Sequence, residues 1–367
     1  MIKRDMTLYK IIIVSIISIV ILFVILLNKT IFNFFDFSSP MENKDVEFSL
    51  SVEYGMPVRK IAEKLKDAGL IDNEYKFLIY HKLHGKSSTI KPGVFQLSSS
   101  MGTKDIYNLL TQTSFSKKIF IPEGITILQT AQILEKNNIL DSKESFINLC
   151  SDRDFIREMR LKGVQSLEGF LFPDTYDFPP GLPTEYYIKK MYAQFLKNIK
   201  KEAEYIYKDI YDEQTKILDM KKNIKIYPTK TNLTFYEILK LSSMVERESM
   251  FYDDKLLVSS VLTNRFKKNH LLQCDATIHY AVNQWGIGLT KQDLEIESPY
   301  NTYKNYGLPP TPICSPGMKS LMAVVNQPKT NYLYYCLING TWRHAFTAKF
   351  EDHAKSAQRY RKAAAKK

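Results

Sequence analysis

The chain has 367 residues, 44% of them hydrophobic, which is enough to bury more than one core, so two or three folded units are expected. Its 51 Lys and Arg outnumber its 39 Asp and Glu, for a net charge of +12. The basic residues are scattered, which argues against nucleic-acid binding, and the cysteines lack a CxxC spacing, which argues against a zinc knuckle or a redox pair.

An uninterrupted apolar run near the N-terminus, Ile11 to Leu27, predicts a single membrane-spanning helix. The basic residues that precede it leave residues 1–10 in the cytoplasm and send the rest of the chain across the bilayer. A cleaved signal peptide is the alternative, but the run is long for one and no small-x-small cleavage site follows it. Residues 28–45, which are rich in phenylalanine, are expected to form a stalk at the membrane surface.

The next stretch, residues 46–114, alternates short strand patterns with helical ones. The predicted order is a strand at Phe48–Val52, helices at Pro57–Ala68 and Asn73–Leu83, a strand at Val94–Leu97 and a helix at Thr103–Leu110. A β-helix-helix-β order of this size resembles the LysM-like module that precedes the catalytic part in a family of murein enzymes. Such a module is expected either to bind glycan or to hold the catalytic part away from the membrane.

Residues 115–166 repeat the strand-turn-helix idea and are interpreted as a connector. A strand at Lys118–Ile121 is followed by a turn and by a helix at Thr126–Lys136, and Asp141 with Glu144 predicts a capping box for another helix. From about residue 167 to 367 the sequence is richer in aromatic, proline and polar residues, which is typical of functional loops on a scaffold. We therefore expect an α+β protein whose catalytic domain, residues 167–367, is mixed α/β and includes a Lys-rich helical excursion at Thr184–Lys222.

The most informative segment is a predicted helix that ends in two nearby glutamates. Thr234 with Glu237 forms a capping box at its start, and Glu248 falls on its apolar face, seven residues after Leu241. A carboxyl on a buried face has a raised pKa and is suited to general acid chemistry. Glu246 points about 200° away around the helix. The two carboxylates therefore cannot act on one substrate atom.

This helix, Leu241–Ser249, resembles that of the YceG-like (MltG) family of endolytic murein transglycosylases. Further matching motifs occur in the same order along the chain and extend the resemblance over nearly all of it: Leu167–Tyr176, Val261–Phe266, Leu272–Thr277, Ser298–Tyr303, Gly307–Pro310, Ser315–Gly317 and His344–Phe346. Carried over by position, the family's catalytic glutamate falls on Glu248.

The resemblance implies cleavage of the β-1,4 bond between N-acetylmuramic acid and N-acetylglucosamine inside a peptidoglycan strand, with a 1,6-anhydro end as product. It implies no cofactor and no metal, a place in the inner membrane with the catalytic domain in the periplasm, and work beside peptidoglycan synthases and the division or elongation proteins. The enzyme is thus expected to terminate or trim nascent strands.

The other motifs supply candidate substrate-binding residues with polar groups or aromatic faces: Gln273, Asp275, Tyr300, Asn301, Tyr303 and Glu168. Glu246 ranks second as the catalytic acid, and its alternative is a hydrogen bond that orients the helix or a neighbouring loop. Asp174 and Tyr176, like Glu168, either lie at the cleft or brace it, and His344 either orients a cleft group or is a buried histidine with satisfied hydrogen bonds. Cys274 stands where the family usually has a small hydroxyl residue, so weaker substrate binding is expected if that hydroxyl contacts substrate.

Two alternatives remain at this stage. A hydrolytic muramidase needs a second carboxylate, for which Asp275 is the candidate. A wall-binding scaffold without catalysis belongs to another class of protein, and the presence of Glu248 argues against it.

Overall fold

A computed structural model describes residues 36–38, 47–53, 55–84, 90–111, 116–226, 231–338 and 340–364. They divide into two compact units: one up to Ser116 together with Pro179–Leu182, and one that comprises Lys117–Phe178 and the chain from Pro183 onward. The predicted membrane segment, Ile11 to Leu27, lies outside the described residues. Within the described part, no helix is long and apolar enough to cross a membrane.

The first unit is a two-stranded antiparallel sheet with helices. Its elements are β1 (Glu47–Val52), α1 (Val58–Asp67), α2 (Glu74–His84), β2 (Gly93–Ser98) and α3 (Thr103–Thr111). The strands pair from Glu47 with Ser98 to Val52 with Gly93, and their alternate residues join the helices in one apolar core. The β-helix-helix-β order predicted from the sequence is present. Its likeness to a LysM module stays a prediction.

The second unit contains most of the helices and strands. They are, in chain order, β3 (Lys117–Phe120), α4 (Ile127–Lys136), α5 (Lys143–Leu149), α6 (Arg153–Glu158), β4 (Leu161–Lys162), β5 (Thr175–Phe178), α7 (Thr184–Glu202), α8 (Glu204–Ile210), β6 (Leu218–Asp219), β7 (Asn223–Ile226), β8 (Thr231–Thr234), α9 (Phe235–Glu248), α10 (Tyr252–Lys267), α11 (Asp275–Val282), α12 (Met318–Val325), β9 (Tyr334–Leu337), β10 (His344–Thr347) and α13 (Phe350–Ala364).

Short two-stranded sheets surround a helical centre in this unit. β3 pairs with β5, β7 with β8 and β9 with β10, all antiparallel, whereas β4 and β6 are parallel. Helices α9, α10 and α12 pack against one another and bury their apolar faces, and α11, β8 and β9 contact this group. The predicted mixed α+β class is confirmed.

The capping box predicted at Asp141 is wrong by one residue. Helix α5 begins at Lys143, and the side chain of Ser142 accepts a hydrogen bond from the backbone N–H of Ser145 at 3.3 Å. The carboxyl of Asp141 therefore lies one position outside the place from which a side chain can cap the helix.

Candidate active site

Helix α9 carries the candidate acid, Glu248, at its last position. A reciprocal capping box fixes its start: Thr234 Oγ1 accepts from the Glu237 N–H at 3.2 Å, and Glu237 Oε2 accepts from the Thr234 N–H at 2.7 Å. Leu241 and Met244 are fully buried, and Glu248 is half-buried. The last residue of this buried helix therefore places a carboxyl at the edge of the core.

The Glu248 carboxyl is held by hydrogen bonds from neighbouring side chains. The Cys274 thiol donates to Glu248 Oε1 at 3.0 Å, and the Tyr335 side chain also forms a hydrogen bond with this carboxyl. Burial raises the pKa of Glu248 and the nearby Asp275 charge raises it further, while these hydrogen bonds and His344 oppose the increase. The net effect is an acid that keeps its proton to a higher pH than an exposed glutamate does.

Two cavities meet at this carboxyl. They have volumes of about 380 and 330 Å³, and Glu248, Asp275 and Tyr335 line both of them. Trp285 and His344 complete the first, among others, and Gln273, Arg265 and Tyr303 contribute to the second. The two cavities therefore share the Glu248 carboxyl as part of a common wall.

The loop before α11 brings several predicted residues to the cleft. Gln273 has a left-handed backbone, with φ of 52°, which costs about 1 kcal/mol for a residue other than glycine. Its N–H donates to the Thr302 carbonyl at 3.1 Å, and the next N–H, of Cys274, donates to Thr302 Oγ1 at 3.0 Å. The Tyr303 hydroxyl donates to the Asp275 carboxylate. Gln273, Asp275 and Tyr303 are thereby fixed around Glu248.

The side chain of Cys274 is directed at the Glu248 carboxyl. It is buried, and burial, followed by the neighbouring Glu248 charge, raises the pKa of its thiol well above the ordinary value. The thiol therefore stays protonated and acts as a donor. Cys274 thus contacts Glu248, and its effect on substrate binding stays a prediction.

Tyr300 and Asn301 lie in the loop that also contains Tyr303, and their side chains form hydrogen bonds within the protein. Asn301 is fully buried, its Nδ2 donates to the carbonyls of Leu294 and Ile296 at 2.9 Å, and its Oδ1 accepts from the Tyr303 N–H at 2.9 Å. The Tyr300 hydroxyl hydrogen-bonds Thr311 Oγ1 at 2.8 Å. Neither side chain lines the two Glu248 cavities, so their contribution is to shape the loop that carries Tyr303.

Glu168 lies at a separate cavity of about 310 Å³. Its carboxyl is buried, both oxygens accept from the Ile127 N–H at 3.2 Å, and Oε2 accepts from the Tyr280 hydroxyl at 3.2 Å. Burial raises the pKa of Glu168 to about 8 although these hydrogen bonds oppose the increase. This carboxyl connects the start of α4 with α11, the helix that begins at Asp275.

Glu246 is part of a buried ion pair. It lies 2.7 Å from Lys255 Nζ, and its other oxygen accepts from the Gly317 N–H at 2.9 Å and from the Ser320 hydroxyl at 2.7 Å. This network joins α9, α10 and α12. Glu246 is thus occupied by structural bonds, and it does not line the cavities at Glu248.

Asp174 and Tyr176 lie away from the cleft. Asp174 is exposed and accepts from Gln194 Nε2 at 3.0 Å, and the buried Tyr176 hydroxyl donates to the Phe172 carbonyl at 2.6 Å. Neither residue lines a cavity at Glu248. Both therefore act as braces of the scaffold.

His344 belongs to the cleft, but a residue that the sequence did not single out holds it there. Its N–H donates to Asp254 Oδ2 at 2.9 Å, and its Nδ1 lies 3.1 Å from the same oxygen, while its ring lines the first Glu248 cavity. Tyr335, which hydrogen-bonds Glu248, was also missed. It lies in a tyrosine-rich strand pattern with no spacing that points to chemistry, so only the pairing of β9 with β10 places it.

Comparison with known proteins gives matches over most of the chain. The model of the "YceG-like family" matches residues 50–359. A Bacillus subtilis protein named endolytic murein transglycosylase is 31% identical over 85% of this chain and 84% of its own length. A Streptococcus pneumoniae protein of the same name is 29% identical over 83% of this chain, which spans only 57% of that relative. A crystal structure of a YceG-like protein from Listeria monocytogenes matches 85% of this chain and 99% of its own, with 28% identity and a TM-score of 0.54.

Proposed function

The chain belongs to the YceG-like family, and we propose that it is an endolytic murein transglycosylase in which Glu248 serves as both general acid and general base. One observation supports this assignment above the others: a half-buried carboxyl with a raised pKa lies where two cavities meet. In this proposal a glycan strand occupies both cavities, with the bond to be cut at Glu248, as a cut inside the strand requires.

In the first step, the protonated Glu248 donates its proton to the oxygen that bridges N-acetylmuramic acid and N-acetylglucosamine. The bond from muramic acid C1 to that oxygen breaks, and positive charge develops at C1. The Cys274 and Tyr335 side chains, which hydrogen-bond the Glu248 carboxyl, stabilise the carboxylate that remains.

In the second step, the Glu248 carboxylate removes the proton of the C6 hydroxyl on the same muramic acid, and the C6 oxygen bonds to C1. The 1,6-anhydro ring closes, Glu248 regains its proton, and no water is consumed. Because the attacking hydroxyl belongs to the sugar that is already bound, its proximity replaces a second catalytic carboxylate.

Hydrolysis is the second candidate reaction, and Asp275 is the residue that supports it. It lines both cavities together with Glu248, so it is available to activate a water molecule as a muramidase requires. The Tyr303 hydroxyl that donates to it favours a structural use of this carboxylate. Mass spectrometry separates the reactions, because a reducing end carries one water more than an anhydro end.

The decisive experiment uses the full chain in detergent with purified peptidoglycan strands. We expect anhydro ends from the wild type and a loss of about 1000-fold or more in Glu248→Gln, because the amide cannot donate a proton as an acid. Glu202→Gln, at an exposed position of the same unit, is the control. Glu246→Gln, assayed at a temperature where it remains folded, should keep most of the activity, because this glutamate of the same helix lies outside the cleft. Reducing ends would establish the muramidase, and no product from the wild type would establish the scaffold.

We further propose that residues 11–27 anchor the enzyme in the inner membrane, with the first unit as a LysM-like spacer or glycan-binding module and the catalytic unit in the periplasm. The apolar run and the basic residues before it support this topology. An anchor keeps the cleft beside nascent strands, where peptidoglycan synthases and the division or elongation proteins act. Protease added to intact spheroplasts should remove the catalytic unit, and protection of that unit would contradict the topology.

A further inference from the structure

A third cavity continues the cleft on one side of Glu248. It has a volume of about 270 Å³ and shares two wall residues, Arg265 and Gln273, with the second Glu248 cavity. Gln273 faces both spaces from the strained left-handed position described above. The third cavity therefore adjoins the second Glu248 cavity along Arg265 and Gln273.

The walls of this cavity combine aromatic rings with small polar groups. Tyr306 is 64% exposed, whereas Tyr334 is half-buried and stacks on His353 with ring centroids 5.3 Å apart, and Asn269 and His270 contribute an amide and an imidazole. A pyranose ring has an apolar face of C–H groups and a rim of hydroxyl and acetamido groups. Aromatic rings suit the face, and planar polar side chains suit the rim.

The one strong cation of this cavity is committed to the protein. Arg265 Nε donates to the Leu333 carbonyl at 2.6 Å, and Nη1 donates to the Leu272 carbonyl at 2.8 Å and to Gln273 Oε1 at 3.2 Å. Its guanidinium also lies 5.2 Å from the centre of the Tyr334 ring. Arg265 thus helps to build the wall, and the uncharged side chains of Asn269, Gln273 and Tyr306 offer hydrogen bonds that suit a neutral sugar.

We propose that the third cavity is an outer saccharide subsite, which binds a sugar of the strand beyond those next to the cleaved bond. This inference rests on the proposed function and adds to it that the enzyme binds unequal lengths of the strand on the two sides of the cleaved bond. The enzyme holds more of the strand on the Tyr306 side of the cut than the inner cavities alone can hold. The subsite therefore favours cleavage at bonds that have enough sugars on that side to reach Tyr306.

The test compares two substrates with the full chain in detergent: long glycan strands freed of stem peptides, and a tetrasaccharide chosen to fill only the inner cavities. For Tyr306→Ala we expect kcat/KM to fall about tenfold on the long strands, the scale of one lost aromatic contact, and to stay unchanged on the tetrasaccharide. Tyr306→Phe should retain the wild-type rate on both substrates, because the ring provides the contact.

Tyr205→Ala is the matched control, since this tyrosine is 48% exposed on α8 and does not line the cavity. Equal losses on both substrates, or no loss on long strands, would overturn the subsite. The lengths of the products provide an independent readout, since Tyr306→Ala should broaden their distribution. A wild type that releases no anhydro ends from either substrate would refute the proposed function itself, which is a distinct outcome.

Discussion

Substitution of Glu168 by glutamine tests whether this carboxyl is a buried brace. Burial raises its pKa from 4.5 to about 8, so the folded protein keeps a proton that the unfolded chain releases at a lower pH. The stabilisation from this proton is complete below about pH 4.5 and is lost as the pH rises through about 8. The full shift corresponds to about 5 kcal/mol, of which about 3 kcal/mol falls between pH 5 and pH 8.

Glutamine keeps an oxygen for the Ile127 N–H and the Tyr280 hydroxyl but cannot ionise. The wild type should therefore lose about 3 kcal/mol more stability than Glu168→Gln between those two pH values. Denaturant unfolding followed by tryptophan fluorescence is a suitable assay, because both tryptophans, Trp285 and Trp342, lie in the same unit as Glu168. Glu202→Gln, at an exposed position of that unit, is the control and should leave the pH dependence unchanged. The same pH dependence in wild type and Glu168→Gln would refute the buried, neutral state of this carboxyl.

Two further predictions concern the neighbours of Glu248. Glu246→Gln leaves Lys255 buried without its charge partner and should cost about 3–5 kcal/mol in the free energy of unfolding. The double variant Glu246→Gln with Lys255→Met should recover most of that loss. A double variant no more stable than the single one would contradict the ion-pair explanation. Cys274→Ala removes a hydrogen bond that lowers the pKa of Glu248, so the loss of kcat/KM at alkaline pH should shift to higher pH. Cys274→Ser keeps a donor, so its pH profile should shift less. An unchanged pH profile in the alanine variant would show that the thiol does not act on Glu248.

The active-site helix illustrates what a sequence pattern can predict. Its capping box and apolar spacing depend on residues within a few turns of one another, and both were visible in the segment from Thr234 to Glu248. The family resemblance carried by the ordered motifs is confirmed by the match over residues 50–359. The motifs do not predict the roles of their individual residues, because a motif does not show which groups a side chain contacts in the folded protein.

Asn301 and Glu168 show this difference. Asn301 has the polar groups of a sugar-binding residue and was predicted to lie in the cleft, whereas the sequence left Glu168 open between the cleft and a bracing role. In the structure, three hydrogen bonds of Asn301 stay within its own loop, and Glu168 is bonded to Ile127, 41 residues earlier in the chain. A buried polar group must satisfy its hydrogen bonds, and the packing of the chain decides whether a backbone group or a substrate does so.

The sequence by itself determined a basic chain with a long apolar N-terminal run, an α+β composition, and a glutamate at the buried edge of a capped helix, because each of these depends on composition or on neighbours along the chain. Only the tertiary structure decided that Cys274, 26 residues away, donates to Glu248, and that Asp254 holds His344 across 90 residues. The pKa of a carboxyl depends on which groups surround it in space. Those groups come from separate segments that meet only when α9, α11 and the β9–β10 hairpin pack together.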